Sequence, residues 1–297
     1  MNTRLWDNPS LHTLAWTLLH LLWQGALVAG LLAVALVFLR KRSPNARYLA
    51  ACVALSLFVV LPTATYFSLG TAQSPTSTAI AYVSESVSHG STSLLSSLTP
   101  YLPWLVLLWS GGVVLLSLRL LCGWVGVYRL GRVQTQAVSL DLCHRAEQLA
   151  QQLGIARPVQ VLASGIAEVP MTFGMLRQVV LLPVSAIAGL TPQMLEAVIA
   201  HELAHIRRYD YVVNLFQTVL ETLFFYHPAV WWISKQIRNE RENACDDMAV
   251  ALLGNRVHYV RALTQMEELR AVPASPALAF TQGDLLTRVQ RILGVPA

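Results

Sequence analysis

Tyr211-Val212-Val213-Asn214-Leu215-Phe216-Gln217-Thr218-Val219-Leu220-Glu221-Thr222-Leu223-Phe224-Phe225-Tyr226-His227-Pro228-Ala229-Val230-Trp231-Trp232-Ile233 is apolar enough to cross a bilayer, and whether it crosses decides the fold. Just upstream stands His201-Glu202-Leu203-Ala204-His205, and just downstream Arg238-Asn239-Glu240-Arg241-Glu242-Asn243-Ala244-Cys245-Asp246-Asp247. Residues four apart share one face of a helix, so His201 and His205 can grip one Zn²⁺, with Glu202 beside the metal's water as general base. A hydrolytic zinc site takes three protein ligands and keeps one open position, so a third ligand must come from elsewhere. Glu242 and Asp246 are also four apart, on what reads as a second helix: one carboxylate can reach zinc while the other orients a ligand histidine. We assign Glu242 to the metal and Asp246 to the orienting role.

That third ligand constrains the apolar stretch. A single crossing would carry Glu242 to the far side of the membrane from both histidines, whereas ligation needs all three within about 2 Å of one ion. The stretch must therefore return, and Tyr226-His227-Pro228 is the expected turning point of a re-entrant or interfacial hairpin over 211–235. Roughly fifteen residues on each arm, at 1.5 Å per residue, give a reach of about 23 Å. Asn214, Gln217 and Glu221 fall at helical intervals along the first arm and should face protein or water, where they can line a substrate path. Glu221 is the weaker rival for third ligand. His227 is a candidate donor to a tetrahedral oxyanion, against the more ordinary reading of a turn residue or interface anchor. Phe224, Phe225, Tyr226, Trp231 and Trp232 read first as an interfacial aromatic belt.

The wider composition agrees with a membrane setting. Of 297 residues, 55% are hydrophobic and only 12% charged, against roughly 25% charged in an ordinary soluble domain. Spans are expected at 14–39, 49–69 and 101–121, each long enough for the ~20 residues a bilayer needs. A signal peptide fits the first run poorly, because it is too long and Arg40-Lys41-Arg42 lies behind it. Arg40, Lys41, Arg42 and Arg47 crowd the loop after the first run, and no Lys or Arg follows until Arg119. Positive charge stays cytoplasmic, so the N-terminus lies outside, the Ser/Thr-rich loop 71–100 is extracytoplasmic, and the active site faces the cytosol. The same loops account for the net charge of +5, and no basic run interleaved with aromatics points to direct nucleic-acid binding. Bare Leu/Val surfaces on the first and third spans leave a homodimer open. Cys52, Cys122, Cys143 and Cys245 are too scattered for a disulfide framework, and Cys245 reads as a small buried helix residue before it reads as a ligand.

Between the third span and the motif, 141–153 reads as a helix and 158–162 as a strand. Val169 to Pro183 reads as two short strands around a Gly174 turn. Strand edges near a protease zinc often hold extended substrate by main-chain pairing, which makes Val179, Val180 and Leu181 a candidate substrate edge; a plain structural hairpin is the equal alternative. The motif helix is expected to start at Thr191-Pro192, an N-cap followed by proline at N1, with Leu195, Val198, Ile199 and Leu203 forming its apolar stripe. The domain plan is a membrane region over 1–125, a protease domain over 126–271 and a C-terminal linker over 272–297.

Several motifs together resemble the BlaR/MecR family of membrane-embedded metallopeptidases, the antibiotic-responsive regulators. They are the H-E-L-x-H helix running into basic residues and Asp210, the apolar hairpin with Pro228 and Trp231, the E-x-x-C-D pattern of Glu242 to Asp246, the Pro170, Gly174, Leu182, Pro183 hairpin, and three preceding spans. The resemblance implies a mainly α membrane protein of the bacterial cytoplasmic (inner) membrane, with three transmembrane helices and a cytosolic gluzincin-like α+β zinc protease domain. It implies His201, His205 and Glu242 as zinc ligands, Glu202 as base and Asp246 behind them. The partners it implies are a protein substrate such as a BlaI-like repressor and the lipid bilayer, with self-cleavage in a segment like 273–287. The best-known relatives add a fourth span and a penicillin-binding sensor. No S-x-x-K, S-D-N or K-T-G signature occurs here, so β-lactam sensing is not legible, which leaves a protease-only member or a chain lacking its sensor. Two readings compete with a protease. A non-proteolytic signalling scaffold with a structural zinc would have no use for Glu202, and a transporter would carry more charge inside its spans than His20 and Gln24 supply.

Overall fold

The computed structural model of the chain describes residues 8–72, 99–130, 135–173, 178–270 and 278–295. Three stretches with sequence expectations lie outside the described residues: most of the 71–100 loop, the turn at 174–177, and 271–277 at the start of the C-terminal segment. The chain divides into two compact units, one drawn from Met1–Arg42, Ala46–Leu120 and Gln217–Ile237, the other from Ser43–Asn45, Leu121–Phe216 and Arg238–Ala297.

The first unit is helical. α1 (Pro9–Phe38), α2 (Pro44–Ala72) and α3 (Leu102–Leu130) contain the spans, and among the described residues three helices are long and apolar enough to cross a membrane, over Pro9–Lys41, Pro44–Thr71 and Leu102–Gly126. The protein is a membrane protein. Asn8 caps α1 by accepting from the Ser10 N–H at 3.0 Å, one of the donors a helix start leaves unpaired. Leu22, Leu27, Leu31, Leu107, Leu108 and Leu115 remain exposed, as suits faces solvated by lipid rather than water. With no water to satisfy them, polar side chains pair internally: Gln24 Nε2 donates to Thr65 Oγ1 at 3.0 Å, and Trp109 Nε1 to the Leu223 carbonyl at 2.8 Å.

The apolar stretch is a helical hairpin, with α7 (Asp210–Leu223) and α8 (Pro228–Leu253) joined by a short turn. It turns where Tyr226-His227-Pro228 was expected to turn it. Gln217, buried, donates from Nε2 to the Ser234 carbonyl at 3.2 Å and ties the two arms together. His227, the candidate oxyanion donor, has both ring nitrogens bonded within this unit. Its Nδ1 accepts the Ala229 N–H at 3.1 Å, which leaves the proton on Nε2, pointed at the Leu21 and Leu22 carbonyls at 3.1 and 3.2 Å. Both nitrogens are committed, so the ring anchors the turn to α1. Gly25 makes room for it, because a Cβ there would sit 2.6 Å from His227 Cε1 and 2.7 Å from Phe58 Cζ. Gly25→Ala should therefore cost about 1–3 kcal/mol of overpacking, read as a lower thermal midpoint in detergent, whereas Gly30→Ala, which meets nothing within 4 Å, should be silent.

The second unit is built on a four-stranded sheet of order β1-β2-β4-β3. β1 (Thr135–Ala137) runs antiparallel to β2 (Val159–Ser164), β2 parallel to β4 (Gln178–Pro183), and β3 (Met171–Phe173) antiparallel to β4. This corrects the substrate edge. Val179, Val180 and Leu181 pair with β2 on one side and β3 on the other, so no main-chain group of theirs faces outward as an edge; the free edges belong to β1 and β3. Val180 and Leu181 are fully buried.

The helices of this unit are α4 (Leu140–Gln152), α5 (Val184–Gly189), α6 (Pro192–Arg208), α9 (Arg256–Arg270) and α10 (Leu278–Leu293), together with the outer portions of α7 and α8. α6 starts where the sequence placed it, with Thr191 Oγ1 accepting the Met194 N–H at 3.4 Å and Pro192 at N1. It packs against β3, β4, α4 and α9. Val180, Leu182, Ile199 and Leu203 are fully buried in this core, each contributing about 1.5–3 kcal/mol by burial. The expected C-terminal linker differs from the structure: from Leu278 on the chain is a helix that packs against α9, because an apolar stripe including Val289 and Ile292 joins the core.

Candidate metal centre

The second unit gathers the chemistry in one place. His201 and His205 project from the same face of α6, and α8 brings Glu242 against them. His201 Nε2 and His205 Nε2 are 3.2 Å apart. Glu242 Oε2 is 3.3 Å from the former, and Oε1 is 3.7 Å from the latter. Ligands around a tetrahedral ion with bonds near 2.0–2.1 Å are separated by about 3.3 Å, and these three donors have that spacing.

The hydrogen bonds behind the two imidazoles define which nitrogen carries the proton. His205 Nδ1 lies 2.8 Å from Asp210 Oδ2, and a carboxylate only accepts, so Nδ1 carries the proton. Tyr259 donates its hydroxyl to Asp246 Oδ1 at 2.7 Å. Its oxygen therefore accepts from His201 Nδ1 at 2.8 Å. The two Nε2 atoms then face each other across 3.2 Å, an arrangement that repels unless a cation, a proton on one ring or a metal ion, sits between them. The residues fit a divalent metal on this ground, with a carboxylate behind each imidazole as metal sites usually have.

Local backbone places one of these carboxylates. Tyr209 closes α6 in the left-handed region, φ 57°, the one non-glycine residue with positive φ among those described. A continuous helix would point Asp210 well around the axis from His205. The break at Tyr209, which costs a non-glycine residue about 1–2 kcal/mol, turns the chain so that Asp210 starts α7 with its carboxylate on His205.

The electrostatics follow from burial and charge. Burial opposes a charge on His201, but the Asp246 and Glu242 carboxylates outweigh it and lift its pKa to about 10. Burial likewise works against an ionised Glu242, yet His201, His205 and Arg288 pull it down to about 2. Asp246 is driven the same way, far below the usual carboxylate range, by His201 and Arg288 against its burial. Burial, then Asp210 and Glu242, push the Cys245 thiol up. That thiol is closed to solvent, 3.3 Å from His205 Nδ1 and donating to Asp210 Oδ2 at 3.4 Å. It therefore lies on the Nδ1 side of the ring.

Of the residues singled out in the sequence, His201, His205 and Glu242 converge, Asp246 stands behind His201 through Tyr259, and Glu202 is buried on α6 between the two histidines. His227 and Val179 to Leu181 serve packing and pairing elsewhere. Sequence reasoning missed three participants: Asp210, Tyr259 and Arg288. Asp210 had a signal, its position just past the motif helix. Tyr259 and Arg288 arrive on α9 and α10 from far along the chain, with no spacing to betray them.

Comparison with known proteins gives this cluster a context. A family model described as BlaR1 peptidase M56 matches residues 16–292. The chain is 29% identical over 119 residues to the regulatory protein BlaR1 of Bacillus licheniformis, covering 40% of this chain and 19% of that protein. It is 28% identical over 92 residues to the methicillin resistance mecR1 proteins of Staphylococcus aureus and Staphylococcus epidermidis, covering 31% of this chain and 16% of theirs. The matched stretches thus span under a fifth of those proteins' length. Peptidases of this family are metallopeptidases, in keeping with a His-His-Glu donor group on helices of a membrane protein. Matched over nearly all of its length, the chain belongs to the BlaR1 peptidase M56 family.

Proposed function

We propose that this chain is a zinc-dependent endopeptidase of the cytoplasmic membrane that cuts a protein substrate on the cytosolic side as a step in signalling. The observation that carries the reading is the pair of Nε2 atoms 3.2 Å apart beside Glu242, each ring held from behind by an acidic group. His201, His205 and Glu242 would hold the ion, a gluzincin-like set. When bound, Zn²⁺ supplies Lewis acidity that polarises the scissile carbonyl and makes a nearby water more acidic. Glu202, between the two histidines on α6, takes the proton of the attacking water and returns it to the leaving amine. Asp210 and the Asp246–Tyr259 pair keep both imidazoles in the tautomer that faces the ion.

Arg40, Lys41, Arg42 and Arg47 favour the cytosolic side for the loop between α1 and α2, which puts the residues after α3 in the cytosol. The hairpin of α7 and α8 then enters and leaves on one side, because His205 before it and Glu242 after it belong to one cluster. A BlaI-like repressor is the substrate class that suits this placement and the regulatory relatives; the chain itself is a second substrate of the same kind.

Proteomic comparison of cells carrying the wild type and Glu202→Gln tests the reading. New N-termini that appear only with the wild type, on a repressor-like protein or on this chain, are expected. Identical sets of termini in the two strains would overturn it.

A further inference from the structure

We propose that Arg288, on the C-terminal helix α10, is a positioning residue of the metal centre: it fixes the Asp246 carboxylate that, through the Tyr259 hydroxyl, decides which nitrogen of His201 carries the proton and so whether Nε2 is free to take the ion. The proposal rests on the ligand set given above and adds to it a residue carried on the last helix of the chain.

Asp246 is closed to solvent. Arg288 grips both of its oxygens, Nε to Oδ2 at 2.9 Å and Nη2 to Oδ1 at 2.6 Å. Two parallel bonds from a planar fork fix the plane of the carboxylate as well as its charge. That plane matters because Oδ1 also accepts the Tyr259 hydroxyl at 2.7 Å. A tyrosine hydroxyl can donate in either of two directions. With the proton drawn to Asp246, only its oxygen is left for His201, so His201 must donate from Nδ1 and present Nε2 as a lone pair. With the carboxylate turned or neutralised, the hydroxyl is free to donate to Nδ1 instead, and His201 would then face the cluster with an N–H, which cannot bind a metal. His201 Nδ1 itself stands 3.4 Å from Oδ1, and among the described residues the other arginine near Asp246 is Arg291, at 3.6 Å from Oδ2, which bonds to Asp247 and to the Asn243 carbonyl. Arg288 also stands 3.6 Å from Glu242 Oε2, so one guanidinium borders both acidic residues of α8.

The simpler role for Arg288 would be to dock α10, and Asp247 separates the two. Asp247 anchors α10 through Arg291 and is half exposed, so Asp247→Asn loosens the docking without touching Asp246 or Tyr259. The test uses the full chain in detergent, with Zn²⁺ affinity read by competition with a chromogenic chelator and geometry read from the visible spectrum of Co²⁺-loaded protein. Arg288→Gln is expected to weaken Zn²⁺ binding roughly 10-fold, in the range seen when a ligand loses its outer partner, and to alter the Co²⁺ spectrum. Arg288→Lys should recover part of the affinity, and Asp247→Asn should match the wild type in both. Wild-type affinity and spectrum in Arg288→Gln would overturn the proposal, as would equal losses in Arg288→Gln and Asp247→Asn. Should Arg288→Gln fail to fold, Arg288→Lys decides, since a single ammonium cannot reproduce the fork: an unchanged affinity and spectrum would overturn it. His205→Ala is carried alongside. Zn²⁺ binding as tight in that variant as in wild type would instead overturn the ligand set itself.

Discussion

Glu202→Gln should keep its zinc and lose its activity. The side chain is buried on α6 between the two histidines, and glutamine has nearly the same shape, so the packing of α6 and the positions of His201 and His205 are expected to persist. What glutamine cannot do is accept the water's proton. A positioned general base is worth about 10²–10⁴ in rate, so kcat/KM on a fluorogenic peptide should fall by a factor in that range while metal content, read by mass spectrometry, stays at the wild-type value. Cleavage at the wild-type rate would remove Glu202 from the mechanism. Loss of the metal with the activity would instead make Glu202 a ligand.

Removing the third ligand has the opposite signature. Glu242→Ala should lose metal and activity together, and it should also abolish the response of stability to a chelator. Zinc at about 100 times its Kd stabilises the folded state by about 2.7 kcal/mol, and in a unit of this size that is a shift in Tm of roughly 5–10 °C. EDTA should thus lower the Tm of wild type by about that much and leave Glu242→Ala unmoved. Equal EDTA responses would show that the metal is held without Glu242. pH adds an independent check on the metal-free protein. His201 is lifted from 6.5 to about 10 by Asp246 and Glu242 despite its burial, so its protonation favours the folded state fully below pH 6.5 and progressively less up to pH 10. The metal-free protein should therefore lose stability as pH rises through that window. Zinc-loaded protein should show the reverse at fixed total metal, because binding releases protons from the ligands.

How much of this was legible in the sequence depends on whether the signal was local. The spans, the start of α6 at Thr191-Pro192, the His201 to His205 face and the turn at Tyr226 to Pro228 all rest on neighbours in sequence, through helical periodicity, capping and proline. The need for Glu242 to rejoin the histidines then gave the hairpin, a long-range inference from coordination number. Strand order escaped the reading. The pattern of Val179 to Leu182 marks a buried strand, but alternation cannot say which partners flank it, and the parallel pairing with β2 placed it inside the sheet rather than at an edge. Asp210, Tyr259 and Arg288 were missed for a related reason. Each is an ordinary polar residue until the left-handed turn at Tyr209, or the docking of α9 and α10, brings it to a ring nitrogen or a carboxylate. His227 misled in the other direction, since a histidine near a protease motif suggests chemistry, whereas Gly25 and the Leu21 and Leu22 carbonyls give it a structural seat.

Among the described residues of the second unit, two donor groups compete for a metal: His201, His205 and Glu242, and, on the opposite side of the same ring, His205, Asp210 and Cys245. Anomalous diffraction at the zinc edge from crystals of the full chain separates them directly. The account predicts a single peak about 2.0–2.2 Å from His201 Nε2, His205 Nε2 and a Glu242 oxygen. A peak among His205 Nδ1, Asp210 and Cys245, or no peak in protein that cleaves peptide, would contradict it.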